Sequence, residues 1–391
     1  MEPVDSVYPT IILLSHTTDT SSTALHALNR FFTQQPNVKS IIQILNPLDS
    51  PEQATTINAD DDPPRTVLGP PPQRLHGMLP FRYLWQFLGS IWSIISVSTP
   101  HTLGIGLNPL NAAALLFCKF LFGRPKTVIF FCCDYSRNRF PSRLLSLIYV
   151  YVDTLARNYS NRTWNVSPRM HNIVSGGMRH NGRQFLVPNG VASQFADHSR
   201  LPYPSTLVST IEFVYIGSLE PGKGIDTLLD VISTCKLVDK WRLTVIGDGS
   251  LREHLTVRAS ALGISENCRF IGFVANNEIH DILSHMHIGF APYCSTPDYN
   301  FYCDPVKVKD YLASGVFTVV SNVPWIGARL EELGIGRAYV TPEDLKEAIE
   351  KTAALLSGTM YNRESLFQTA RSAKIVSTWD EVFETGLSEL T

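Results

Sequence analysis

The run Ile216-Gly217-Ser218-Leu219-Glu220-Pro221-Gly222-Lys223-Gly224 stands where a β-rich segment gives way to a helical one, a setting suited to a diphosphate. Glycines let backbone N–H groups approach anionic oxygens, a helix N-terminus adds partial positive charge, and Lys223 adds a full one. Alone, such a turn is more often a plain βα connection with an exposed lysine. Two more glycine-bearing strand ends follow it, Gly247-Asp248-Gly249 and Gly272-Phe273-Val274. Ligands of open α/β sheets collect at the carboxyl ends of strands, so three such turns in succession outline one crevice that fits a nucleotide. Downstream, Asp304-Pro305-Val306-Lys307-Val308-Lys309-Asp310 opens a helix. Asp304 reads as its N-cap, Pro305 as its first residue and Gly315 as the glycine past its end. Lys223 and Asp310 are charged side chains that these two segments offer to such a ligand. The bland alternative for the pair is a surface lysine and a helix-surface aspartate.

In the first half, Asp134 in Cys132-Cys133-Asp134-Tyr135 follows an apolar strand and sits near Arg137 and Arg139. With Tyr135 it is the best candidate there to touch a ligand, the alternative being an ordinary strand-end ion pair. The loop after the first strand, Ser15-His16-Thr17-Thr18, offers hydroxyls that can donate to anionic oxygens, or simply caps the next helix. Asp60-Asp61-Asp62 lies in a proline-rich stretch, where consecutive carboxylates are usually solvated, and no metal site is expected.

These residues need elements to hold them. Short β-rich runs alternate with helical stretches along the whole chain, the signature of parallel sheets covered by helices on both faces. The first series has strands at Thr10–Ser15, Ser40–Leu45, Thr127–Cys133, Thr163–Ser167 and Phe185–Pro188, with helices near 22–34, 80–97, 109–122 and 141–158. Asn46–Gln73, with seven prolines, reads as a surface loop or partly disordered insertion. After the Pro/Ser/Thr-rich stretch Leu201–Thr210 a second series begins, with strands at Ile211–Ile216, Trp241–Ile246, Arg269–Phe273, Ile288–Pro292 and Val316–Ser321. The boundary is therefore placed near residue 200.

Composition sets outer limits. At 391 residues the chain is long for one core and suits two domains. Its 44% hydrophobic and 17% charged residues describe a folded protein. Residues 1–200 hold 17 Lys+Arg against 11 Asp+Glu, and residues 201–391 hold 16 against 24. A mildly basic first half suits a phosphate-bearing or membrane-surface acceptor, or is ordinary variation between domains. A slight net negative charge without a basic aromatic stripe argues against nucleic acid as a partner. Seven cysteines without metal-ligand spacing point to a reducing compartment, and no export signal is visible, so a cytoplasmic location is expected. Tyr83–Ser96 and Leu110–Phe122 are too interrupted to span a membrane and read as helices that are buried or lie on its surface.

The ordered set IGSLEPGKGIDTLLD, VIGDGSL, FIGFV and DPVKVKDYLASGVFTVVS resembles the second domain of retaining GT-B glycosyltransferases, which include glycogen synthases, sucrose synthases and phosphatidylinositol mannosyltransferases. The resemblance covers about residues 185–320 and includes Val187-Pro188-Asn189-Gly190-Val191 at the linker edge. It implies two Rossmann-like domains facing a central cleft, residues 1–200 taking the acceptor and 201–375 the donor, with a last helix at 376–391 crossing back to the first. It implies a nucleotide-diphosphate sugar, UDP- or GDP-linked, as co-substrate without a further cofactor. Transfer would go to a glycan, lipid or small-molecule hydroxyl with retention. Donor-binding residues carried over are Gly217, Ser218, Lys223, Gly224, Gly247, Gly249, Gly272, Phe273, Val274, Tyr302, Cys303, Asp304, Pro305, Val306, Lys307 and Asp310. Catalytic roles fall to Lys223 and Asp134, and the acceptor side to His16, Thr17, Thr18, Asp134 and Tyr135. Three positions depart from the family pattern. Ser218 replaces a phosphate-binding arginine, Tyr302 a motif glutamate, and Cys133 a histidine, so Lys307 or an arginine from elsewhere is the candidate replacement cation and Asp304 a candidate for the sugar hydroxyls. A sugar-nucleotide epimerase or hydrolase, or a silent nucleotide-binding scaffold, are the competing readings.

Overall fold

The computed structural model describes residues 8–16, 23–46, 54–59, 62–73, 77–173, 182–196, 210–237, 240–358 and 362–388. The chain divides into two compact units, residues 1–188 with 379–391, and residues 189–378.

In the first unit, strands β1 (Thr10–Ser15), β2 (Ser40–Leu45), β3 (Thr55–Ala59), β4 (Asp62–Leu68), β5 (Thr102–Gly106), β6 (Thr127–Cys132), β7 (Arg162–Asn165) and β8 (Gln184–Leu186) form one sheet. Their order is β4-β3-β2-β1-β5-β6-β7-β8. Pairing is parallel from β2 to β8, and β3 and β4 add an antiparallel hairpin at the edge. The stretch expected to be a loop or disordered insertion therefore holds two strands. Thr55 and Ile57 of β3 are buried, while Pro63 and Pro64 fall on the edge strand β4, where missing N–H groups cost the ladder least. Sequence reading also passed over β5, whose Gly104 and Gly106 hide its β character. Helix α3, below, packs directly on it, and a Cβ at Gly106 would come within 2.5 Å of the Ala112 nitrogen.

Helices α1 (Thr23–Thr33), α2 (Leu79–Val97), α3 (Pro109–Phe122), α4 (Arg143–Tyr159) and the short α5 (Pro168–His171) connect these strands. Helices α2 and α3 cover one face through Ile94, Leu115 and Ile12. Helix α4 lies beside α3 on that face, with its Arg157 over the Phe130 ring.

The second unit has β9 (Thr210–Ile216), β10 (Lys240–Ile246), β11 (Cys268–Gly272), β12 (Ile288–Ala291), β13 (Phe317–Ser321) and β14 (Gly336–Tyr339), all parallel, in the order β11-β10-β9-β12-β13-β14. Strand β14 has no counterpart in the sequence reading. Its helices are α6 (Ile225–Thr234), α7 (Arg252–Ala261), α8 (Asn276–Leu283), α9 (Tyr299–Tyr302), α10 (Val306–Ala313), α11 (Ile326–Glu332), α12 (Pro342–Gly358) and α13 (Arg363–Ser372). Residues 189–196 fall in this unit, although the sequence placed them before the boundary. Val191 N–H donates to the Ser377 carbonyl at 2.9 Å, and Val191 and Phe195 are buried in the second unit's core.

The last helix, α14 (Trp379–Ser388), belongs to the first unit. Its Phe383 meets Phe31 of α1, Phe131 of β6 and Trp164 of β7, on the face opposite α2 and α3.

Candidate functional site

Strand order reverses in the second unit at β9, which pairs with β10 on one side and β12 on the other. Such a switch point leaves a crevice at the carboxyl ends of the strands. The Gly217–Gly224 turn fills that place. Gly224, the N-cap of α6, has φ +74°, and a Cβ there would overlap the Pro292 carbonyl oxygen just past β12. Only glycine fits both the left-handed backbone and the close approach. The turn is tied down on two sides. Glu220 accepts from Ser250 N–H at 2.8 Å and Ser250 Oγ at 2.6 Å, bonds that hold its carboxyl below the usual value. Asn300 Nδ2 donates to the Gly222 and Cys294 carbonyls at 3.0 and 2.9 Å.

Helix α10 is seated beneath this turn by Tyr311. Its hydroxyl accepts from Ile216 N–H at 2.8 Å and donates to the Phe290 carbonyl at 3.2 Å, joining the ends of β9 and β12. Gly289 makes room for the ring, since a Cβ there would lie 2.5 Å from it. One turn before Tyr311, Lys307 extends to Gly217, where a Cβ would lie 2.7 Å from Nζ. The Lys307 Nζ stands 4.0 Å from the Tyr215 ring centre and 5.2 Å from that of Tyr293. Lys223 Nζ lies 5.8 Å from the same Tyr293 ring and 5.0 Å from that of Tyr299. Two ammonium groups thus converge over Tyr293, and their rings favour the charged forms only weakly. Burial, and then the Lys223 charge, lower the Lys307 pKa to about 7. Asp310, three residues on and so on the same helical face, is raised to about 7 by burial, with Lys309 opposing the shift.

Asp304 has a different place from the expected one. The N-cap of α10 is Pro305, and Val306 is its first residue. The Asp304 carboxylate pairs with Lys309 Nζ at 2.6 Å and accepts from Asn189 N–H at 2.8 Å and Trp325 Nε1 at 3.2 Å. Lys309 also donates to the Asn189 carbonyl at 2.6 Å. Both charges are buried, so this pair anchors the residue 189 segment, and the Asp304 carboxylate is held by protein donors on both of its oxygens. Tyr302 is buried, and Cys303 Sγ donates to the Asn300 carbonyl at 3.1 Å. Ser218 is exposed, its carbonyl accepting from Tyr215 Oη at 3.1 Å. Past β10 and β11, Gly247 N–H donates to the Gly272 carbonyl at 2.7 Å, which brings Gly247 and Gly272 together, while Gly249 lies against the Leu219 carbonyl. Val274 packs on the core while Phe273 is 79% exposed, an aromatic face open to solvent at a strand end.

In the first unit, Asp134 and His16 line one cavity of about 590 Å³, with Asn108, Arg139 and Tyr149 around them. Arg139 pairs with Asp134 at 2.6 Å. Burial lowers the His16 pKa to about 3, so its imidazole is neutral at physiological pH. Tyr135 does not line this cavity: it is buried under the Arg157 guanidinium, 5.6 Å from its ring centre. Thr17 and Thr18 lie outside the described residues. Sequence reading missed Tyr215, Tyr293 and Tyr299 as the floor beneath the two lysines. The signal for Tyr293 was its position just past the carboxyl end of an apolar strand.

Residues 210–358 match the family model described as glycosyl transferases group 1. Sucrose-phosphate synthase from Thermosynechococcus elongatus aligns with 96% of this chain and 97% of its own at 13% identity, with a TM-score of 0.72. The lipopolysaccharide outer core galactosyltransferase WaaB aligns over 98% and 100% at 12% identity and 0.66. HepE of Anabaena, in complex with UDP and glucose, aligns over 97% and 98% at 13% identity and 0.63. No curated protein matches the chain. The two units are therefore those of a GT-B fold. The family match lies wholly within the second unit, the part that carries the Gly217–Gly224 turn and helix α10.

Proposed function

We propose that the second unit binds a UDP- or GDP-sugar, and that the first unit's cavity receives a glycan, lipid or small-molecule acceptor whose hydroxyl takes the sugar with retention. The observation that carries this reading is the convergence of Lys223 and Lys307 over Tyr293 beneath the Gly217 turn. Two lysines there supply the charge that Ser218 cannot. UDP in the HepE structure and UDP-2-fluoro glucose in a trehalose-6-phosphate structure from E. coli favour the uridine donor. Asp310 takes the ribose hydroxyls, and the exposed Phe273 edge and the neighbouring backbone take the base.

In the reaction the bond from the anomeric carbon to the diphosphate oxygen breaks, and a bond to the acceptor oxygen forms on the same face. The acceptor proton passes to a diphosphate oxygen. Lys223 and Lys307 stabilise the charge arriving on the leaving group, the kind of preorganised electrostatic help that dominates many transfer reactions. Asp134, held by Arg139, orients the sugar or the acceptor. Seven free thiols support a cytoplasmic site of action.

The test is diphosphate release from a panel of UDP-, GDP-, ADP- and dTDP-sugars, with product analysis to separate transfer from hydrolysis. One base class should be used, with kcat/KM reduced about 100-fold in Lys223→Ala and in Lys307→Ala. Binding of nucleotide without turnover across the panel and a range of acceptors would turn the assignment toward a silent scaffold.

A further inference from the structure

The outer surface of α2, α3 and α4 is unlike the rest of the molecule. Leu84 and Trp92 of α2, Phe120 and Leu121 of α3, and Leu147 and Tyr151 of α4 are each 53% to 67% exposed. Neighbouring rings join the three helices into one patch: Phe87 meets Phe117 at 6.0 Å, and Phe120 meets Tyr159 at 6.0 Å. At roughly 100 Å² from each of six such side chains, the patch exceeds what a soluble monomer usually leaves in water. Residues 79–162 contain nine Lys+Arg and two Asp+Glu. Both acids are already paired, Asp134 with Arg139 and Asp153 with Arg157. Arg137, Arg143 and Lys126 are exposed.

An apolar surface with a cationic surround and no unpaired carboxylate complements the headgroup region of an anionic bilayer. A protein partner of ordinary composition would require no such one-signed charge. No helix of the described residues is long and apolar enough to cross a membrane, so contact would be from one side. The same helices wall the first unit's cavity: Leu79, Pro80 and Tyr83 come from α2, and Leu145, Ile148 and Tyr149 from α4.

We propose that the α2–α3–α4 face seats this protein on an anionic membrane surface, with the aromatic and leucine side chains inserted among the headgroups. If the cavity is the acceptor site, which rests on the reading above, its acceptor is amphiphilic, with an apolar part between α2 and α4 and a polar head toward Asp134 and His16.

Co-sedimentation tests the face without any nucleotide sugar present, so its result is independent of the transfer assignment. The full chain should pellet with vesicles of phosphatidylglycerol and phosphatidylcholine in equal parts, far less with phosphatidylcholine alone, and less as salt rises. Trp92→Glu combined with Leu147→Glu should lower the bound fraction at least tenfold while leaving the thermal midpoint and donor turnover in solution unchanged. Arg137→Glu with Arg143→Glu should selectively remove the preference for the anionic vesicles. Wild type that stays in the supernatant with both vesicles overturns the proposal, as does a double glutamate variant that binds like wild type. A dimer that Trp92→Glu/Leu147→Glu dissolves, without vesicle binding, would assign the face to a second copy instead.

Discussion

In the proposed donor site Lys307 and Asp310 hold opposite roles on one helical face, and burial moves both to about 7. The signs give a pH dependence. Below about 7 Asp310 gains a proton and loses the ability to accept from both ribose hydroxyls. Above about 7 Lys307 in the free enzyme loses its proton and with it the attraction to a diphosphate. The donor kcat/KM should therefore trace a narrow bell centred near pH 7, falling up to tenfold per unit on each side. Bound diphosphate restores the Lys307 proton, so kcat should be flatter than kcat/KM on the alkaline side. Asp310→Asn should remove the acid limb, and Lys307→Arg, with a guanidinium that stays charged, the alkaline one. Initial rates across pH 5 to about 9 decide this, and alkaline limbs that coincide in Lys307→Arg and wild type would remove Lys307 from the diphosphate site.

At the scale of elements, the parts of the second unit's candidate site were legible in the sequence because each of them sits where a strand ends. Gly217, Gly247 and Gly272 mark successive carboxyl ends, and the βα period is regular around them. Asp304 was misread because a carboxylate before a proline and a helix has the form of an N-cap, whereas its partners Asn189 and Trp325 are 115 and 21 residues away. No local pattern reports such pairings. Strand β5 was missed for a related reason: Gly104 and Gly106 serve the packing of α3 and so lack the β-branched side chains that mark strands. The glycines are more demanding at the Gly217–Gly224 turn. Gly224→Ala imposes a Cβ on both the positive φ and the Pro292 oxygen, so the turn must move. Nucleotide affinity should fall at least tenfold, and urea unfolding of the second unit should shift by about 1–3 kcal/mol. Unchanged affinity by calorimetry would mean that the turn does not contact the nucleotide.

The whole molecule joins its two units through a chain that leaves the first at residue 188 and returns at residue 379. The returning helix α14 completes the first unit's core. Trp379, Val382, Phe383 and Leu387 are all buried, with Trp379 stacked on Phe383 at 5.3 Å and Arg30 paired to Asp380 at 3.5 Å. Four apolar side chains at roughly 1.5–3 kcal/mol each amount to about 6–12 kcal/mol, comparable with the whole stability of an ordinary domain. The first unit's sheet therefore depends on residues that are synthesised after the entire second unit. A chain stopped after Thr378 should lose the cooperative unfolding of the first unit and all sugar transfer. The second unit, whose core needs nothing from α14, should still bind nucleoside diphosphate. Limited proteolysis with and without UDP separates the two units: cleavage should concentrate within residues 1–188, and the fragment from residue 189 should survive and be protected by UDP. Survival of the first unit in the truncated chain would show that β1, β6 and β7 hold their helices without the Phe383 cluster.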